Sequence, residues 1–217
     1  MKFINLSKKF NEHFVFRQLT FEFEKGNIYS IFGKNAAGKT TLLNILNGNL
    51  SYDEGVIEDN AFSILLENND FPFEHMTADE FIEVTFKFKQ VTWSQEEKRE
   101  LYAQLDFDPQ EKIIKEFSKG MKSKLYLIIS LLSHPKILLL DEPFSDIDIL
   151  SFKSIIKILK LKKEEMIIIF STHQAKIAFE LSDKILYLSE SSLLLFENNF
   201  KNIEELEFVI LQKMDNK

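Results

Sequence analysis

"GKNAAGKTT", Gly33 to Thr41, directly follows the apolar run Ile28-Tyr29-Ser30-Ile31-Phe32, and its reading organises the rest of the chain. Only 6 glycines occur in 217 residues, and two of them, Gly33 and Gly38, frame this stretch and are followed by Lys39, Thr40 and Thr41. The spacing fits G-x-x-x-x-G-K-[ST], a loop whose backbone N–H groups wrap phosphate oxygens. The helix that follows offers its positive N-terminus to the same anion. Lys39 is expected to neutralise β- and γ-phosphates, and the Thr40 hydroxyl to ligate Mg²⁺. The context that the pattern requires, a buried strand before and an amphipathic helix after, is present.

The composition allows one large domain or two small ones. With 45% hydrophobic and 28% charged residues the chain can build a core and cover it. A net charge of −7 argues against a general affinity for nucleic acid. There is no cysteine, which excludes disulfides and thiolate metal sites and fits a reducing compartment. The N-terminus MKFINLSKKF is too polar and alternating for a signal peptide. The apolar run Leu125 to Leu132 falls far short of the ~20 residues of a bilayer span. A soluble chain is expected, with any membrane role supplied by a partner. The 22 phenylalanines mostly occupy core-like positions.

The first third reads as β. Lys2 to Leu6 and Phe14 to Glu24 alternate apolar and polar residues, as half-buried antiparallel strands do. Ile28 to Phe32 is a buried strand, a helix should run from about Gly38 to Leu46, and short strands are expected at Val56-Ile57 and Phe62 to Leu66. The middle turns helical: Thr77 with Glu80, and Ser94 with Glu97, fit capping boxes ahead of amphipathic runs. A third helix is expected over Lys119 to Leu132. Then strand and helix alternate, with apolar strands at Lys136 to Leu140 and Met166 to Phe170, which implies a parallel sheet covered on both faces.

"ILLLDEPFSDID", Ile137 to Asp148, places Asp141 and Glu142 where a buried strand leaves the sheet. Ligands in such folds bind at the carboxyl ends of the strands. Asp141 is expected to reach Mg²⁺ through water, and Glu142 to orient or deprotonate the attacking water. "STH", Ser171 to His173, follows the next apolar strand at the same edge, and the His173 imidazole is placed to donate to a phosphate oxygen. His13, His75 and His134 lack that context and receive no role.

Five stretches in order resemble the motifs of ABC-type ATPases: Gly33 to Thr41, Phe117 to Met121, Ile137 to Pro143, Ser145 to Asp148, and His173. They correspond to the Walker A loop, signature motif, Walker B strand, D-loop and switch histidine. The resemblance covers nearly the whole chain. It implies an α/β fold: a P-loop NTPase core with a mostly parallel sheet, an N-terminal antiparallel β subdomain and an inserted helical subdomain. Residues 1–66 and 134–217 would form the core of a single domain, and 67–133 the helical insertion carrying the signature. It also implies ATP and Mg²⁺ as ligands. Gly33, Lys34, Asn35, Ala36, Ala37, Gly38, Lys39, Thr40 and Thr41 would hold the nucleotide, with Phe10 stacked on adenine. Ser118, Gly120 and Asp148 would join them, the signature closing over the ATP of a second cassette in a head-to-tail dimer. Glu142, His173 and Lys39 would be catalytic, and Thr40, Asp141 and Glu67 would serve the metal.

Three departures from the family pattern stand out. Glu67 occupies a position where glutamine is common, with Asn68 and Asn69 adjacent. Lys119 and Met121 replace glycine and glutamine in the signature. Ala36 replaces a glycine, which is tolerable where that position keeps φ below zero. The resemblance implies the ATP-hydrolysing subunit of a transporter with a separate transmembrane subunit, at the inner face of the cell membrane. The SKGM-type signature and short C-terminus resemble export-type cassettes. Two other readings stand beside it. One is a soluble ABC-type ATPase; the other is a nucleotide-dependent interaction or immunity protein with slow hydrolysis. A kinase or GTPase would have no use for Ser118-x-Gly120, and no N-K-x-D motif for guanine is present.

Overall fold

The structure is a computed structural model that describes residues 1–58, 61–66, 73–144, 147–189 and 192–215. The alternating N-terminal segment folds into the hairpin β1 (Lys2–Phe10) and β2 (His13–Glu22), and β4 (Glu54–Glu58) pairs with the other edge of β1. The result is a three-stranded antiparallel sheet in the order β2-β1-β4.

The second sheet holds β3 (Ile28–Phe32), β5 (Ser63–Leu66), β6 (Ile137–Leu140), β7 (Ile167–Thr172), β8 (Lys184–Ser189) and β9 (Ser192–Glu197). Its order is β5-β6-β7-β3-β8-β9, parallel throughout except for the antiparallel edge strand β9. Every residue of β6 and β7 is buried, because helices cover both faces and leave no solvated side for polar residues. Neighbours β6, β7 and β3 therefore end side by side, at the edge where such sheets bind ligands.

Seven α-helices are described: α1 (Lys39–Leu46), α2 (Ala78–Lys89), α3 (Gln95–Gln104), α4 (Lys119–Leu132), α5 (Ile149–Lys162), α6 (Ala175–Leu181) and α7 (Ile203–Asp215). On one side of the main sheet, Leu42, Leu43 and Leu46 of α1 share a core with Phe3, Phe16 and Phe23 of the small sheet and its flank. On the other, Leu125, Ile128 and Leu132 of α4 join Phe81 and Phe86 of α2, Ile155 of α5, and Leu138 and Phe170 beneath them. Many of the phenylalanines are thus core, although Phe10 and Phe88 are exposed.

The Thr77 capping box closes in both directions: the Glu80 N–H donates to Thr77 Oγ1 at 3.3 Å, and the Thr77 N–H to Glu80 Oε2 at 2.8 Å. At Ser94 only the serine side is seen, with the Glu97 N–H donating at 3.3 Å. The Glu97 carboxylate instead lies 3.3 Å from His134 Nε2, so the competing partner is a histidine brought up from the end of α4. Among the described residues no helix is long and apolar enough to cross a membrane.

Candidate nucleotide-binding site

The loop between β3 and α1 turns tightly enough for the Ala37 N–H to donate to the Lys34 carbonyl at 3.2 Å. Gly38 ends it with φ +93°, left-handed backbone that a side chain disfavours. Any Cβ there would also overlap Val15 Cγ1, so the hairpin strand β2 lies directly against the loop. Phe10 sits at the end of that hairpin, half-exposed, with the Lys8 ammonium 5.2 Å from its ring centroid. An open aromatic face is what stacking on a base requires.

Ala36 does not meet the condition of negative φ: it adopts +62°. For a residue with a Cβ this conformation costs roughly 1–2 kcal/mol. The loop keeps its shape here against the local preference of its sequence. Lys34, Asn35, Ala36 and Thr40 are exposed, Ala37 and Thr41 are half-buried, and Gly33, Gly38 and Lys39 are buried.

Lys39 Nζ donates to the carbonyls of Gly33 and Lys34, both at 3.1 Å, and lies 3.7 Å from Glu142 Oε1. This ammonium is buried and folded back along the loop. Thr40 Oγ1 donates to Asp141 Oδ2 at 2.7 Å across the strand ends. A hydroxyl and a carboxylate at that separation are hard oxygen donors that suit Mg²⁺, which is held by one or two carboxylates together with substrate phosphates. Among the described residues no group of three His, Cys, Asp or Glu could hold a metal by itself. The third expected ligand, Glu67, lies outside the described residues, as do Ser145 and Asp146 of the D-loop stretch.

Glu142 leaves β6 with φ +45° and meets His173, whose Nδ1 is 3.0 Å from Glu142 Oε1. Lys39 and His173 therefore converge on one carboxylate oxygen. His173 thus engages Glu142 through Nδ1. Ser171 is a contact that the sequence reading missed. Its hydroxyl accepts the Glu142 N–H at 2.8 Å and donates to Asp141 Oδ1. It stands within the stretch already singled out as "STH", but a strand serine carries no signal until its neighbour is known.

The structure brings Lys39, Thr40, Asp141, Glu142 and His173 together, and places Ser118 and Gly120 elsewhere, at the start of α4. Ser118 caps that helix, accepting the Met121 N–H at 3.2 Å. Gly120 is buried against α5: a Cβ on it would lie 2.7 Å from Asp148 Oδ2. Asp148 is occupied as the N-cap of α5, accepting the Ser151 N–H at 2.9 Å, and that bond holds its carboxyl below the ordinary range. No described hydrogen bond or ion pair joins Asp148 to the phosphate loop of its own chain.

Comparison with known proteins bears on the family and the fold. The profile of the family described as ABC transporter matches residues 16–145. An uncharacterised ABC transporter ATP-binding protein of Methanocaldococcus jannaschii is 30% identical across 100% of this chain and 83% of its own. The lantibiotic transport ATP-binding protein SrtF of Streptococcus pyogenes is 27% identical over 95% of this chain and 94% of its own. Among solved structures, a dimeric post-hydrolysis ATP-binding cassette bound to ADP and Pi superposes with a TM-score of 0.74. It is 22% identical, covering 92% of this chain and 99% of that one, and it attests the fold. With the loop after β3, the acidic end of β6 and His173 assembled at one sheet edge, the chain belongs to the ABC transporter family, as one of its ATP-binding cassettes.

Proposed function

We propose that the chain is the ATPase subunit of a transporter whose membrane-spanning part is a separate chain. It would work as a head-to-tail dimer, with itself or a related cassette, peripheral to the inner face of the membrane. Export is the direction that the Ser118-Lys119-Gly120-Met121 signature favours. The observation that carries the reading is the convergence of Lys39 Nζ and His173 Nδ1 on Glu142 Oε1, at 3.7 and 3.0 Å, beside the Thr40–Asp141 pair.

Each residue then has a task. The Lys39 ammonium exchanges its two carbonyl partners for β- and γ-phosphate oxygens, a charge-assisted contact. Thr40 and Asp141 would hold Mg²⁺, which supplies charge neutralisation to the phosphates when bound. Glu142 takes the proton of the attacking water as general base, and His173 fixes the carboxylate that receives it. No described hydrogen bond or ion pair joins Ser118, which caps α4, to this centre in its own chain. Ser118 is exposed, and with the N-terminus of α4 it would meet the γ-phosphate held by a second cassette.

Glu142→Gln tests the assignment, since it removes the base and keeps shape. Turnover should fall by about 10²–10⁴-fold while ATP still binds. A dimer should persist in ATP and Mg²⁺ on size-exclusion chromatography. Near-normal steady-state turnover in this variant would overturn it. Lys39→Ala should separately weaken ATP binding by roughly 1.5–3 kcal/mol in calorimetry.

A further inference from the structure

Ser171 lies in β7, between the strand that delivers Asp141 and Glu142 and the strand that opens into the phosphate loop. It is 0% exposed, so its hydroxyl has no water to turn to. The paired residues Leu140 and Phe170 close the β6–β7 register, and one step further along each strand stand Asp141 and Ser171. A hydroxyl offers one proton and two lone pairs. Here the proton goes to Asp141 Oδ1, and a lone pair takes the Glu142 N–H at 2.8 Å. The other Asp141 oxygen already accepts Thr40 Oγ1 at 2.7 Å. A continuous path thus runs from Thr40 through Asp141 and Ser171 to the Glu142 backbone.

That backbone needs holding. Glu142 sits at φ +45°, where a non-glycine residue is disfavoured by roughly 1–2 kcal/mol and persists only if its surroundings over-determine it. The neighbouring hydroxyl, Thr172 Oγ1, is engaged elsewhere, accepting the Gln174 N–H at 3.1 Å. We propose that Ser171 is a positioning residue for ATP hydrolysis: its hydroxyl locks the left-handed bend that presents Glu142 and fixes the Asp141 carboxylate from behind. Ser171 touches neither nucleotide nor water in this scheme. The inference rests on the proposed role of Glu142 as base.

Ser171→Ala and Ser171→Thr are compared with the unmodified chain, and Ser171→Ala is repeated on a Glu142→Gln background. Ser171→Ala should lower kcat about 10- to 100-fold, the scale of a base displaced by an ångström. Nucleotide affinity without Mg²⁺ should stay within about twofold, because the phosphate loop is untouched. Retained affinity also shows that the variant is folded. Ser171→Thr keeps the hydroxyl and should recover most of kcat. On the Glu142→Gln background, Ser171→Ala should lower the residual rate by a smaller factor than it lowers kcat in the unmodified chain, the base being already absent. Wild-type kcat in Ser171→Ala, beside an inactive Glu142→Gln, would overturn the inference and leave the base assignment standing. So would parallel losses of Mg²⁺-free affinity and kcat that Ser171→Thr does not rescue, since they mark a purely structural serine. Normal turnover in Glu142→Gln alone would remove the base assignment, and this inference with it.

Discussion

A Cβ placed on Gly120 would stand 2.7 Å from Asp148 Oδ2, so the signature segment and the cap of α5 touch within one chain. Gly120 is required here for space, its neighbours being Asp148 and Ser151, the two ends of the capping hydrogen bond. Gly120→Ala should overpack this contact and destabilise the chain by about 1–3 kcal/mol. Chemical denaturation measures it. An unchanged midpoint would mean that the α4–α5 contact yields without cost.

Ala36 pays for a conformation that glycine adopts freely. Ala36→Gly should relieve roughly 1–2 kcal/mol of left-handed strain. It should lose about 0.4–1 kcal/mol through the greater freedom of the unfolded chain. A net gain of about 0 to 1.6 kcal/mol in unfolding free energy is expected. Lower stability in Ala36→Gly would show that Ala36 is not held at positive φ in solution.

The proposed composite site is tested by Ser118→Arg, whose long cation would block closure over a partner's nucleotide. Each such chain should bind ATP at its own Lys39 pocket with wild-type affinity while steady-state hydrolysis collapses. Losing the Ser118 cap should cost only about 1 kcal/mol, so the variant remains folded. Mixed with Lys39→Ala chains, it should restore at most one complete site per heterodimer. Wild-type hydrolysis by Ser118→Arg alone would rule out a signature acting across a dimer.

Within the helical insertion, Lys98 is 7% exposed and pairs with Asp79 at 2.9 Å, above the Trp93 and Tyr102 rings. Burial pushes the Asp79 carboxyl up, but hydrogen bonds from Lys98 and Tyr102 and the Lys98 charge outweigh it and hold it low. A carboxyl lowered in the folded state stabilises above its unfolded value of about 3.9. That contribution is lost as pH falls through the lower folded value. Asp79→Ala leaves the Lys98 ammonium buried without this partner. Breaking a fully buried pair costs about 3–5 kcal/mol, and the solvent access of Asp79 reduces this to about 2 kcal/mol. The variant's stability should also fall less steeply on acidification below about pH 4. Equal acid sensitivity in both proteins would show that Asp79 does not contribute to it.

The sequence by itself determined the elements that are locally encoded. The alternation of β1 and β2, the unbroken apolar runs of β6 and β7 and the helix Lys119–Leu132 could be read from period and capping alone, because each pattern is imposed by one element's own geometry. Spacing also made Lys39, Thr40, Asp141, Glu142 and His173 candidates, since motif residues must follow their strands directly. What only the tertiary structure decided depends on which strands become neighbours. Ser171 meets Asp141 and Glu142 through the β6–β7 register, and Gly120 meets Asp148 through the packing of α4 on α5. The sign of φ at Ala36 and the pairing of Glu97 with His134 belong to the same class. In each case the deciding partner is distant in sequence or the backbone is held against its local preference, so no window of neighbouring residues contains the answer.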